Sequence, residues 1–224
     1  MDEILSYLTG KYDPAAILVY GSYAEGSNNE HSDFDALVVT ESNEFFQDCF
    51  HDMAVVNGVQ LDVFIYPITG LQEPLDCEKL IQIYHSRIVL DTKNIGEKLK
   101  KQVTDYVEHL PVKGKEEVFA EVAWCKKMAL RAKRQDAEGM FRWHWVLTDS
   151  LEIFCDAVGN RYWGPKKTLK WMEENYPDAF FHYQAALHNF CSQTLEGWIA
   201  CLEETAASVY GESDKQVDAD RKKL

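Results

Sequence analysis

Three aspartates stand where their spacing lets them act together. Between two apolar runs lies Gly21-Ser22-Tyr23-Ala24-Glu25-Gly26-Ser27-Asn28-Asn29-Glu30-His31-Ser32-Asp33-Phe34-Asp35. Asp33 and Asp35 are two apart at the start of the second run, and in a strand residues i and i+2 share a face. Both carboxylates therefore point the same way, while Phe34 turns into the core. With no Lys or Arg close by in the sequence, the pair repels itself unless a cation sits between its members. Carboxylate oxygens completed by water and substrate phosphates are the pattern magnesium takes in phosphoryl and nucleotidyl transfer. Gly21 permits a tight turn off a strand end and a close approach to a ligand, and Ser22 adds a hydroxyl and an amide suited to phosphate oxygens.

Asp62 supplies a third acid. In Gln60-Leu61-Asp62-Val63-Phe64-Ile65, Leu61, Val63 and Ile65 line one face of a strand, and Asp62 shares the other with Phe64. An acid in so apolar a strand requires a reason. If this strand lies beside the one that begins at Asp33, three acids converge with room for two metal ions, the arrangement that serves an in-line displacement of pyrophosphate.

The elements that must position these residues are short in the first part of the chain. Ile4, Leu5 and Leu8 mark a helix over residues 2 to 9, ended by Tyr12-Asp13-Pro14. Ala16 to Tyr20 and Ala36 to Val39 are strand-length apolar runs. Met53 to Val56 and Val59 to Tyr66 flank Asn57-Gly58, a strong hairpin signal, and His85 to Leu90 is expected to add an edge strand. From about residue 94 the periodicity becomes helical. Met140, His144, Leu147, Leu151, Phe154 and Val158 form one expected buried stripe, with His144 read as a buried, satisfied histidine. Leu187, Phe190, Cys191, Leu195, Trp198, Ile199 and Leu202 form another. Helices are also expected over 115 to 134 and 165 to 175, the latter opened by Gly164-Pro165. The tail from Ser213 to Leu224 is charged and expected to fray.

Gly21-Ser22, ten residues, Asp33-Phe34-Asp35 and then Asp62 on a later strand resemble the signature of the DNA polymerase β-like nucleotidyltransferase superfamily. The resemblance covers about the first 90 residues. It implies an α+β chain, with a small mixed β-sheet nucleotidyltransferase domain at residues 1–92 followed by an α-helical bundle at 93–212 and the charged tail at 213–224. It further implies that Asp33, Asp35 and Asp62 bind metal, two Mg2+ ions, and that Gly21 and Ser22 contact the triphosphate of ATP or another NTP. In size and layout the chain is similar to the antibiotic nucleotidyltransferases, which implies transfer of a nucleoside monophosphate to a hydroxyl of a small-molecule acceptor such as an aminoglycoside or lincosamide. The alternative is a nucleotidyltransferase-like component of a toxin–antitoxin pair or a nucleotide-sensing module, acting on protein or RNA.

The second part must contribute the cations that a triphosphate needs. Lys126, Lys127, Arg131, Lys133 and Arg134 are candidates, and Lys166 and Lys167 suit best, at the start of a helix with free amides. The general base stays open among Glu121, Asp149, Glu152 and Asp62. In kanamycin nucleotidyltransferase-like members a helical glutamate is followed one turn later by a lysine. After Glu121 that position is Cys125, with Lys126 next to it. Trp143, Trp145, Tyr162 and Trp163 read as core before they read as stacking surfaces.

Composition narrows the rest. At 46% hydrophobic and 12% aromatic the chain has ample material for a core, which excludes a disordered or low-complexity protein. Residues 1–86 hold fifteen Asp or Glu against Lys11 and Lys79, whereas 87–224 hold twenty-two acids and twenty-one bases. That asymmetry argues for two domains and makes a long nucleic acid an unfavourable partner for the first, although a polycation would suit it. A homodimer stays open. Met1-Asp2-Glu3-Ile4 shows no signal-peptide pattern, no run of about 18 apolar residues appears, and six scattered cysteines form no Cys-x-x-Cys pair. A soluble, cytoplasmic protein with reduced thiols and no membrane partner is expected.

Overall fold

The computed structural model of the chain describes residues 1–42, 49–71, 74–134 and 136–221, with the backbone alone for 212–221. It forms two compact units, Met1–Leu110 and Pro111–Leu224. In the first, helix α1 (Asp2–Tyr12) leads into strand β1 (Pro14–Val19), a short helix α2 (Gly21–Glu25) and strand β2 (Phe34–Thr40). Strands β3 (Phe50–Asp52), β4 (Val55–Val56), β5 (Val59–Pro67) and β6 (Arg87–Asp91) follow, then helix α3 (Ile95–Glu108). The strands make one sheet in the order β3-β5-β2-β1-β6, with β4 paired to β5. The β2–β5 pair is parallel and every other pair antiparallel, so the sheet is mixed and the fold is α+β.

Local chemistry explains the joints. Asn57 and Gly58 both take positive φ, 50° and 80°, the conformation of a two-residue hairpin whose twist matches the strands it joins. Strand β5 alternates fully, with Leu61, Val63, Ile65 and Pro67 buried and Asp62, Phe64 and Tyr66 half-buried. Its buried side joins Ile17, Val19, Phe34, Ala36 and Val38 against Ile4, Leu8 and Tyr12 of α1. On the opposite face Leu18, Leu37 and Val39 are also fully buried, and α3 packs against β1 and β6.

Helix α1 is fastened to the sheet edge through Asp52, which is 4% exposed. Its carboxylate accepts from Tyr12 Oη at 2.6 Å, Tyr7 Oη and Lys11 Nζ at 3.0 Å, and the amide of Ala54 at 3.0 Å. Burial by itself would raise the Asp52 carboxyl, but these donors hold it below the ordinary carboxylate range. The stabilisation is therefore complete above about pH 4, the unfolded value, and is lost as pH falls through the lower folded value. Asp52→Ala is expected to cost about 2–3 kcal/mol at neutral pH, because it leaves the buried Tyr12 hydroxyl without an acceptor. Thermal unfolding should show the gap to wild type closing in strong acid, and a gap independent of pH would refute the assignment.

The second unit is helical: α4 (Lys115–Ala132), α5 (Ala137–Ala157), α6 (Pro165–Asn175), α7 (Pro177–His188) and α8 (Ser192–Arg221). Asp136 caps α5, accepting from the amide of Gly139. The core centres on Trp198, fully buried, whose indole N–H donates to Ser150 Oγ at 2.8 Å. Phe154, Leu195 and Met172 surround it. Two expectations are corrected here. His144 is exposed, although Leu147, Leu151 and Phe154 of the same expected stripe are buried; near the start of α5 the buried position is Trp143, whose larger ring gains more from burial and whose N–H reaches the carbonyl of Ala186. The stripe expected from Leu187 to Leu202 is not one helix: α7 ends at His188, Asn189 is extended, and Leu187 and Phe190 are 40% and 53% exposed. Thr194 Oγ1 donates to the carbonyls of Asn189 and Cys191, which anchors the break. Helix α8 continues to Arg221, and 222–224 of the expected tail lie outside the described residues. No helix among the described residues is long and apolar enough to cross a membrane.

Candidate active site

The acids meet through strand register. In the parallel β2–β5 pair, Asp35 stands opposite Asp62, and register partners on adjacent strands project from the same face. Both are half-buried. Asp33 is exposed and lies one residue before β2, at the end of a loop that Asn29 and Ser32 organise: the amide of Asn29 donates to Ser32 Oγ and that of His31 to Asn29 Oδ1, both at 2.9 Å.

Gly21 and the start of α2 close the site from the side of β1. The amide of Tyr20 donates to the carbonyl of Asp35 at 3.0 Å, so the end of β1 and the start of β2 are tied together there. Gly21 has φ of 62°, and a Cβ at this position would lie 2.3 Å from Asp35 Oδ2. The Asp35 carboxylate occupies the space that only a glycine leaves open, in a backbone conformation that glycine adopts at least cost. Ser22, the second residue of α2, is buried.

Two further residues bear on the acids, and the sequence reading missed both. Tyr20 is 8% exposed, and burial first, then the negative charges of Asp62 and Asp35, raise its phenol well above its ordinary value. One buried ring thus feels both carboxylates. His51 lies on edge strand β3 opposite Phe64, stacks on it with ring centroids 4.4 Å apart, and sets Nε2 2.5 Å from Asp62 Oδ1. A three-residue strand has no periodicity to read, so only the alternation that puts His51 and Asp62 on one face could have signalled the contact.

The donor set suits a magnesium ion in kind, being carboxylate oxygen from adjacent strands. Among the described residues no three His, Cys, Asp or Glu side chains are drawn together as a metal-binding group, and Asp62 turns Oδ1 toward His51. The lysines singled out in the sequence belong to the second unit: Lys166 is exposed and Lys167 half-buried in the first turn of α6. In the same unit Glu121 and Asp156 both hold Lys113, at 2.6 and 2.9 Å. Burial would lower the Lys113 ammonium, but these two carboxylates raise it well above its ordinary value. Glu121 is therefore committed to an ion pair through Oε1, and its buried Oε2 accepts no hydrogen bond from the described residues. Asp149 is half-buried and Glu152 exposed. Of the four aromatic candidates, Trp143 is core, Trp145 is 41% exposed and meets Trp124 edge-on, and Tyr162 and Trp163 are half-buried.

Among solved structures, a nucleotidyltransferase-like protein from Exiguobacterium sibiricum 255-15 is similar with a TM-score of 0.44 and 14% identity, over 92% of this chain and 72% of that one. No curated protein matches. The nucleotidyltransferase domain model matches residues 1–118, more than half of the chain and the whole stretch that carries the glycine turn and the three aspartates. By that match the chain belongs to the nucleotidyltransferase domain family and is a transferase enzyme.

Proposed function

We propose that the chain transfers a nucleoside monophosphate, AMP from ATP, to a hydroxyl of a small-molecule acceptor such as an aminoglycoside or lincosamide. The observation that carries this reading is the Asp35–Asp62 register pair set against the Gly21 turn. Asp33, Asp35 and Asp62 are the residues that would hold magnesium, one ion or two. Magnesium bound there would supply positive charge opposite the triphosphate. Gly21 and Ser22 would place backbone amides against phosphate oxygens. Lys166 and Lys167, at the amide-rich start of α6, are the residues of the second unit best suited to a phosphate. The acceptor class rests on charge: the first unit holds nineteen Asp or Glu and seven Lys or Arg, a field that draws in a polyamine. Six cysteines without disulfides support a cytoplasmic location.

His51 acts on Asp62 as a positioning residue. His51→Phe keeps a ring to stack on Phe64 and removes the nitrogen that Asp62 bonds. It is expected to raise the magnesium concentration for half-maximal turnover about tenfold, as loss of an outer partner of a metal ligand does, with little change in unfolding midpoint. An unchanged magnesium dependence would remove His51 from the site.

The reading is tested by incubating the protein with magnesium, labelled ATP and a panel of aminoglycosides and lincosamides. A gain in acceptor mass of one nucleotidyl group, absent with Asp35→Ala, is expected. No mass gain, together with nucleotide-dependent thermal stabilisation that Asp35→Ala abolishes, would reject these acceptors and keep the site. Loss of both signals would reject the site as well.

A further inference from the structure

Two helices of the second unit present opposite charges in matching rows. Helix α4 carries Lys126, Leu130 and Lys133 along one side, and α8 runs antiparallel beside it with Glu203, Ala200 and Glu196 at the same levels. Lys126 Nζ reaches both oxygens of Glu203, at 2.8 and 2.7 Å, and Lys133 pairs with Glu196 two turns away. Between these ion pairs lies an apolar groove of about 280 Å³ floored by Ala129 and Ile199. Leu130 stands at its edge 63% exposed, and Ala200 is exposed. All four charged side chains are about half-exposed, and exposed pairs of this kind add little stability on their own.

We infer that this α4–α8 face docks a second copy of the chain across a two-fold axis running along the groove. Such an axis exchanges the two sides of the face and keeps the level along the helices. Each Lys126 then lies over the partner's Glu203 and each Lys133 over the partner's Glu196, closing a ring of four alternating charges at either end. Leu130 meets the partner's Ala200, a large side chain over a small one. A face that is its own complement in charge and shape is what an isologous dimer requires. The face is also where like-charged copies can approach. The chain carries a net charge of −14, of which residues 1–110 hold −12, whereas the docking rows carry two lysines and two glutamates.

Light scattering behind gel filtration, run on the full chain over a range of concentrations, should give about twice the monomer mass of 25.8 kDa. Lys126→Glu with Lys133→Glu makes all four positions negative, and Glu196→Lys with Glu203→Lys makes all four positive. Each double variant alone is expected to be monomeric at concentrations where the wild type is dimeric. An equimolar mixture of the two should return to the dimer mass, which broken intramolecular pairs could not achieve and which shows that both variants are folded. A monomeric wild type, a dimer that survives either double variant, or a mixture that stays monomeric would each overturn the inference.

Discussion

Asp35→Ala is expected to lower nucleotidyl transfer by at least about a thousandfold, on the order of 4 kcal/mol of lost transition-state stabilisation, with the fold retained. The effect should be large because Asp35 stands at the junction of the site's parts: opposite Asp62 in the β2–β5 register and against the Gly21 backbone. Its backbone carbonyl, which accepts from Tyr20, is untouched by the substitution. The carboxylate is half-buried on a face it shares with another acid, so its removal relieves repulsion while it deletes an oxygen donor that the proposed function assigns to magnesium. Thermal unfolding separates the two consequences. Without ligand the midpoint should stay near that of the wild type, and the rise on adding magnesium and ATP should vanish. Residual turnover within tenfold of wild type would remove Asp35 from the reacting centre.

Gly21→Ala should do nearly as much damage without touching a carboxylate. The new Cβ would stand 2.3 Å from Asp35 Oδ2 and 3.0 Å from its Cγ, so the carboxylate must leave its place or the turn must open. The backbone at φ 62° adds about 1 kcal/mol for a residue with a side chain. Activity is expected to fall about a hundredfold or more, and stability by about 1–3 kcal/mol. Gly26→Ala is the matched control. Its φ of 69° imposes the same conformational cost, but nothing lies within 4 Å of the added Cβ. It should lose the stability increment and keep the activity. Equal losses of activity in both variants would mean that turn strain, and not the displaced Asp35, is what matters at Gly21.

Much of the first unit was legible because its information is local. Alternation along β5 placed Asp62 on the face away from Leu61, Val63 and Ile65, and Asn57-Gly58 specified a turn in which both residues take positive φ. Gly164-Pro165 marked the start of α6 for the same kind of reason, since proline presets a first helical turn. Strand β3, with three residues, carries too little local signal, whereas α3 does carry one, with Leu99, Val103 and Val107 buried at steps of four. The exposure of His144 beside the buried Trp143 and the interruption at Asn189 to Cys191 are set by packing in the second unit, which periodicity along one segment does not show.

The amino-acid sequence alone singled out Asp35 and Asp62 and determined which face of its own strand each occupies, because side-chain alternation is a property of a single strand. Register belongs to pairs of strands. Only the tertiary structure set Asp35 opposite Asp62, laid the Asp35 carboxylate in the space beside Gly21, brought His51 from an edge strand to Asp62 and buried Tyr20 beside both acids. Each of these contacts joins segments whose spacing in sequence says nothing of their distance in space, since hydrogen-bonded pairing and core packing choose the partner.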